Sequence, residues 1–218
     1  MSPRLSTGIS TLDSTLSGGL PLGKIVEVSG PPGAGRSTLA LSVGLRSLAQ
    51  GHAIAWIESR PAFWPLQAIE AGVPLDRLLV LRVPPAERLR ALQLLLASSG
   101  AVKVAIVDFA QPPEALPKRR FPSDEIQPFQ LARLHRLAER SSTLLLLLTE
   151  RPPEAASLGP MVDIRLHLRL PRAESVSGAS IFDRRLEVAV LRHKQGPSQG
   201  RFSESLHGPD RLRLRSTI

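Results

Sequence analysis

A glycine-rich stretch near the N-terminus has the residue types and the spacing that bind phosphate. It consists of Gly30, Pro31, Pro32, Gly33, Ala34, Gly35, Arg36, Ser37 and Thr38. Glycines let the backbone turn so that several amide groups face one anion, and the N-terminus of a following helix adds positive potential. The phosphate-loop pattern has a lysine before the hydroxyl that holds Mg²⁺. Ser37 supplies the hydroxyl, but Arg36 replaces the lysine's compact ammonium with a wide planar fork.

The elements on either side of this stretch are those that a phosphate-binding loop requires. The apolar run 24–28 predicts a buried strand, and residues 39–48 predict a helix. A strand, a glycine-rich turn and a helix in this order favour a nucleotide site that holds ATP, with Mg²⁺ on Ser37. The alternative is a Gly/Pro turn before an ordinary helix, with no ligand.

Acidic residues end three of the predicted strands. In phosphate-loop ATPases an acid at the position of Asp108 orients Mg²⁺ or its water. Glu58 ends a neighbouring strand and is the other candidate catalytic residue, as the acid placed to activate a water. Glu150 follows a leucine-rich strand, where it could sense the γ-phosphate. The alternatives are a turn or capping aspartate and two solvated charges at strand ends.

Two cations near the C-terminal end of the chain are candidates for phosphate contacts in trans. Arg192 and Lys194 are two residues apart, so in a strand they would share one face. From there they could reach a phosphate across a subunit boundary, as arginine fingers do. The alternative is a cationic edge that discourages sheet-to-sheet pairing.

The composition indicates a basic protein without thiol chemistry. The chain has 218 residues, a formal net charge of +9 and no cysteine. A basic surface suits nucleic acid, and the proline-rich segment 110–128, which predicts a loop, contains the candidate DNA contacts Lys118, Arg119 and Arg120. An arginine-rich solvated surface is the alternative. We expect a cytoplasmic protein with no membrane contact, because no signal core or membrane-length apolar run is present.

The remaining pattern predicts an α/β fold with a mostly parallel sheet, helices on both faces and antiparallel strands at the C-terminal end. Helices are expected at 10–16, 65–71, 86–98 and 129–140, and strands at 53–58, 78–83, 102–109 and 143–149. The last of these strands is almost pure leucine, so it should be buried on both faces. Alternating segments at 164–170, 186–191 and 211–215 predict half-exposed strands that extend the sheet.

The order of these pieces resembles the RecA ATPase core. The resemblance includes Ser6–Asp13, Gly18–Glu27, the phosphate loop, the strand ends at Glu58 and Asp108, and the segments 143–150 and 190–194. It implies a single RecA-like core over 1–218 that binds ATP and Mg²⁺ at the loop and Asp108. It also matches Arg192 and Lys194 to a lysine pair that reaches a neighbour's nucleotide, and 110–128 and 151–160 to the DNA-binding loops.

The chain departs from the RecA pattern at three positions that sense or perform hydrolysis. The loop lysine is Arg36, the catalytic glutamate position is Arg60, and the glutamine that senses the γ-phosphate is Glu150. The resemblance therefore implies absent or very slow hydrolysis. It also implies a core without the N-terminal arm and C-terminal domain of RecA. Such a core could accept the N-terminal arm of a neighbouring RecA subunit but could not donate an arm to a further subunit.

A short, degenerate RecA core resembles the ImuA (SulA-like) group of accessory proteins. That resemblance implies a role in SOS-induced, error-prone translesion synthesis, with RecA and an error-prone polymerase or its subunit as partners and single-stranded DNA as a further ligand. The alternative is a DNA-dependent ATPase that acts as a recombinase paralogue. The glycine pattern, Ser37 and Asp108 favour that second interpretation.

Overall fold

A computed structural model of the chain describes residues 3–59, 63, 74–98, 100–109, 126–169, 184–196 and 200–206. The helices are α1 Ser10–Thr15, α2 Arg36–Ala49, α3 Arg88–Ser98 and α4 Pro128–Ser141, with 3₁₀ turns at Leu75–Arg77 and Pro85–Glu87. The strands are β1 Arg4–Leu5, β2 Leu20–Pro21, β3 Ile25–Ser29, β4 Ala53–Glu58, β5 Leu78–Arg82, β6 Val102–Asp108, β7 Leu144–Thr149, β8 Ile164–Arg169, β9 Arg184–His193 and β10 Gly200–Leu206.

The main sheet has eight strands in the order β10-β9-β8-β3-β7-β6-β4-β5. The strands from β8 to β5 run parallel, whereas β9 pairs antiparallel with both β8 and β10. This arrangement confirms the predicted fold class. The strand before the phosphate loop, β3, lies between β7 and β8. The residues that follow β3 and β7 therefore meet at one edge of the sheet.

Helices cover both faces of the sheet. One apolar cluster packs α1 and α2 against alternate residues of the strands, and a second packs α3 and α4 against the opposite face. The start of α4 is fixed by a reciprocal pair in which Gln127 and Gln130 cap each other's backbone, with Pro128 as the first helical residue. Among the described helices, none is long and apolar enough to cross a membrane.

Most predicted elements in the described ranges lie within one to three residues of the observed ones. All six residues of β7 are buried, as its leucine run predicts. The expectation of a half-exposed strand at 164–170 was wrong, because β8 lies inside the sheet and even Arg165 is only 3% exposed. Strand β10 was not predicted. The helix predicted at 65–71, residues 110–125 of the loop predicted over 110–128, and the strand predicted at 211–215 fall outside the described residues.

Candidate phosphate-binding site

The backbone of the glycine-rich loop forms an open cradle at the N-terminus of α2. Gly35 adopts a left-handed conformation, with φ of 88°, and is the N-cap of the helix. The amide of Leu39 donates the first hydrogen bond of the helix, to the Gly35 carbonyl at 2.9 Å. The earlier amides of this turn therefore have no acceptor in the helix and are available to an anion.

Two other glycines shape the loop in different ways. At Gly30 an added Cβ would lie 2.4 Å from the carbonyl oxygen of Leu168, so a larger residue has no room. Gly33 also has positive φ, 77°, but a Cβ there would meet nothing within 4 Å. Gly30 therefore lets the loop pack against β8, while the space at Gly33 is open to a ligand. Ser37 is exposed at the start of α2.

The structure brings together two of the three residues that are predicted from the sequence to depart from the RecA pattern. Nη2 of Arg36 lies 3.3 Å from Oε1 of Glu150, which directly follows β7. The Arg36 side chain is 9% exposed and that of Glu150 is 30% exposed. Nη1 of Arg36 is buried and has no hydrogen-bond partner among the described residues. One side of the guanidinium is thus neutralised by a carboxylate, and the other is free for an anion.

The residues present therefore fit a phosphate group, although one nearby negative charge opposes its binding. The first-turn amides, the open space at Gly33 and the orphaned Nη1 of Arg36 all favour an anion at this edge. The Glu150 carboxylate opposes it, because it already holds Arg36 and repels further negative charge.

The two candidate catalytic acids lie at the same edge of the sheet but in different surroundings. Asp108 ends β6, which is separated from β3 by β7, and it is 8% exposed. Glu58 is 1% exposed and accepts a hydrogen bond from the Phe63 amide at 2.7 Å and one from Arg82 at 3.0 Å. These hydrogen bonds give Glu58 a structural role, because they connect the end of β4 to Phe63 and to Arg82 on β5. Its role as a base stays a prediction, as does Mg²⁺ binding by Asp108.

A buried charged cluster below the loop was missed in the sequence. Glu27, in the middle of β3, is fully buried, and its carboxylate accepts hydrogen bonds from the Thr149 hydroxyl at 3.1 Å and the Leu158 amide at 3.0 Å. It also lies 3.8 Å from Arg151 and 3.6 Å from Arg165. Burial raises the pKa of Glu27, while the Leu158 amide and Arg165 act in the opposite direction.

The cluster fixes the segment that was predicted to be the second DNA-binding loop. Arg165 donates hydrogen bonds to the carbonyls of Pro152, at 2.7 Å, and Ala155, and Arg151 donates to that of Ala156 at 2.6 Å. Within the described residues the segment 151–160 contains no helix or strand, as predicted. Glu27, a charged residue inside the apolar run of β3, was the signal that could have indicated a buried charge here.

The two predicted trans-acting cations lie at the opposite edge of the sheet from the phosphate loop. Strand β9 is antiparallel to β8, so its last residue, His193, pairs with the first residue of β8. Arg192 donates to the Ser157 hydroxyl at 3.1 Å, and Nζ of Lys194 lies 3.5 Å from Asp163. Strand β9 ends at His193, so Lys194 lies one residue beyond the strand. Contact with a neighbour's nucleotide stays a prediction.

Four further predicted site residues fall outside the described residues. They are Arg60, predicted to occupy the position of the catalytic glutamate, and the candidate DNA contacts Lys118, Arg119 and Arg120.

Comparisons with known proteins identify the family to which this fold and loop belong. The model of the RecA N-terminal domain matches residues 3–128, which is more than half of the chain. The chain belongs to the RecA family. Protein RecA of Rhodospirillum rubrum is 41% identical over 105 residues, covering 48% of this chain and 29% of that relative. Protein RecA of Mannheimia haemolytica is 42% identical over 105 residues, covering 48% of this chain and 28% of that relative.

The matched region thus spans less than a third of the length of these RecA proteins. A solved structure of the RadB recombinase is similar over 92% of this chain and 94% of its own, with a TM-score of 0.71 and 21% identity. That likeness concerns the fold alone, and it covers a larger share of the chain than residues 3–128, which the family model matches.

Proposed function

We propose that this protein is a cytoplasmic accessory protein of the RecA family that hydrolyses ATP slowly or not at all. In this proposal it binds RecA, an error-prone polymerase subunit or both, and modulates RecA during SOS-induced translesion synthesis. The observation that carries the proposal is the ion pair between Arg36 and Glu150, 3.3 Å apart at the phosphate loop. It joins two substitutions at positions that RecA uses for phosphate binding and sensing.

The pair supports binding without turnover. Catalysis of phosphoryl transfer depends on charges placed to stabilise the transition state. Here the loop cation is already paired with a carboxylate, and a cation occupies the expected base position, Arg60. ATP would bind through the first-turn amides of α2, with Mg²⁺ held by Ser37 and Asp108. The chain keeps these groups while it alters those that complete the reaction.

The outer edge of β5 is the surface that best suits a RecA partner. In the described part of the chain, no strand pairs with this edge of the sheet. Leu79 and Val80 are 42% and 37% exposed on β5. An unpaired edge with apolar side chains can accept an extended segment as an additional strand. We therefore place the predicted docking of a RecA arm here, which would cap a filament end.

The test is a pull-down with RecA and with RecA that lacks its N-terminal arm. The proposal predicts binding of the first and loss of the second. The double variant Leu79→Lys, Val80→Lys should also lose RecA, because lysines on an edge discourage strand pairing. The control is Leu94→Lys, which adds a cation at an exposed leucine on α3, away from this edge. Equal binding of both RecA forms, or of neither, rules out this geometry.

A DNA-dependent ATPase that acts as a recombinase paralogue is the second candidate function. It is favoured by the intact glycine conformations of the loop and by Ser37 exposed at the start of α2. This candidate requires repeated turnover that single-stranded DNA stimulates, which the accessory role does not.

A further inference from the structure

A groove between α3 and α4 is a second surface that the proposed function does not use. The two helices pack side by side on the face of the sheet opposite to α2. The groove between them encloses about 400 Å³ and is lined by Arg90, Gln93, Leu94, Ala97, Arg133 and Leu137. The four residues from α3 are spaced as one helical stripe of two turns.

The floor of this groove is apolar and open to solvent. Leu94 is 61% exposed. Phe129, which is 70% exposed, precedes Arg133 by one turn of α4, and Leu137 follows Arg133 by another turn. These three residues therefore form one stripe along the helix. Phe129 thus extends the α4 stripe that lines the groove, and exposed apolar side chains grouped in this way are typical of a site for another protein.

The charges around the groove are positive. Arg90 and Arg133 line it, Arg136 and Arg140 are exposed on α4, and neither Arg90 nor Arg133 has an ion pair within the described residues. The acidic residue of this helix, Glu139, is bound to Lys24 at 2.7 Å and is thus already neutralised. Glu87 lies just before α3, and its single negative charge does not balance these four arginines. The complementary ligand therefore carries carboxylates.

We propose that this groove binds an acidic amphipathic helix of a partner protein. Such a helix would place apolar residues on Leu94 and Leu137 and its carboxylates beside Arg90 and Arg133. The chain's own residues 207–218 are not the occupant, because their three arginines and one aspartate have the same net sign as the groove. The apolar floor favours a protein over a nucleic acid. This inference is separate from the proposed binding of RecA, which would involve the β5 edge.

The test uses a fluorescent synthetic helix of about 14 residues, with leucines at i, i+3, i+4 and i+7 and glutamates on the flanking positions. Two matched peptides carry lysine for every glutamate, or the same residues in scrambled order. Anisotropy should show binding of the glutamate peptide and binding weaker by about tenfold or more for both matched peptides.

Three variants separate the groove from the rest of the basic surface. Leu94→Glu and the double variant Arg90→Glu, Arg133→Glu should each weaken the glutamate peptide by about tenfold or more, and the double variant should now prefer the lysine peptide. The control Arg77→Glu reverses one charge at an exposed arginine that does not line the groove, half the total change of the double variant, and it should leave binding unchanged. Circular dichroism confirms that each variant is folded.

The proposal is overturned if the scrambled peptide binds equally well, if the charge reversal does not switch the preferred peptide, or if the groove variants bind like the control. It is also overturned if a single-stranded oligonucleotide displaces the peptide and depends on the same arginines, because the groove would then be a nucleic-acid site.

Discussion

The exchange Glu150→Gln tests the ion pair at the phosphate loop directly. Glutamine keeps the shape of the side chain and removes the charge that neutralises Arg36, which lies 3.3 Å away. We expect the variant to bind ATP more tightly than the unmodified protein, because a repulsive charge is lost and both sides of the guanidinium become available to phosphate. A residue that served only to hold the fold would weaken binding when changed.

The magnitude follows from Coulomb's law. At about 6 Å and an effective dielectric constant of about 20, a carboxylate and one phosphate charge repel by about 3 kcal/mol. The Glu150 side chain is 30% exposed, so solvent screens part of this repulsion. We therefore expect a gain of about 1.4 kcal/mol, or about tenfold in Kd. The stability of the nucleotide-free protein should fall by about 1–2 kcal/mol, since the buried Arg36 loses a partner.

The assay is the anisotropy of a fluorescent ATP analogue, together with urea unfolding of the same samples. The control is Glu154→Gln, which removes the same charge from an exposed acid in the neighbouring segment. The opposite signs, tighter binding and lower stability, distinguish the ion pair from a general change in the fold. A folded Glu150→Gln protein that binds the analogue equally or more weakly would refute the reasoning.

Three further predictions concern packing, pH and DNA. Gly30→Ala should lower the free energy of unfolding by about 2 kcal/mol or more, because the added Cβ would overlap the Leu168 carbonyl oxygen. The control Gly100→Ala, where an added Cβ meets nothing within 4 Å, should not lower it. Urea titration compares the two variants. Burial lowers the pKa of His167 and His193 from 6.5, so the unfolded chain takes up protons at a higher pH than the folded one. The free energy of unfolding should therefore fall as the pH drops below 6.5, and it should fall less in the double variant His167→Asn, His193→Asn. If single-stranded DNA binds through 118–120, changing the three cations to alanine should flatten the log–log salt dependence of affinity by about 2; an unchanged slope would exclude these contacts.

Much of the fold could be predicted because each element has a strong local signal. The leucine run at 144–149 requires burial on both faces, and the glycines at 30, 33 and 35 require a turn before a helix. Strand β8 was misjudged, because its alternation of apolar residues with Arg165 and His167 imitates a strand with one solvated face. The sequence pattern cannot show that Glu27, on the next strand in the sheet, compensates the buried charge.

The candidate site was predicted as a set of residues but not as an arrangement. Arg36 and Glu150 are 114 positions apart, and they meet only because β7 is inserted between β6 and β3. The hydrophobic periodicity of a sequence does not show the order of the strands in a parallel sheet. The same reason explains Arg192, whose partners follow from the antiparallel direction of β9 rather than from its spacing to Lys194.

The most direct test of the accessory role is ATP turnover by the purified protein, with and without single-stranded DNA, alongside nucleotide binding. Losing a general base or a placed electrostatic contact typically costs about 10²-fold or more in rate, and the proposal holds that Arg36, Arg60 and Glu150 are three such losses. We predict no sustained turnover in either condition. Multiple turnovers per minute that DNA stimulates and Asp108→Ala abolishes would contradict the account and establish the recombinase paralogue instead.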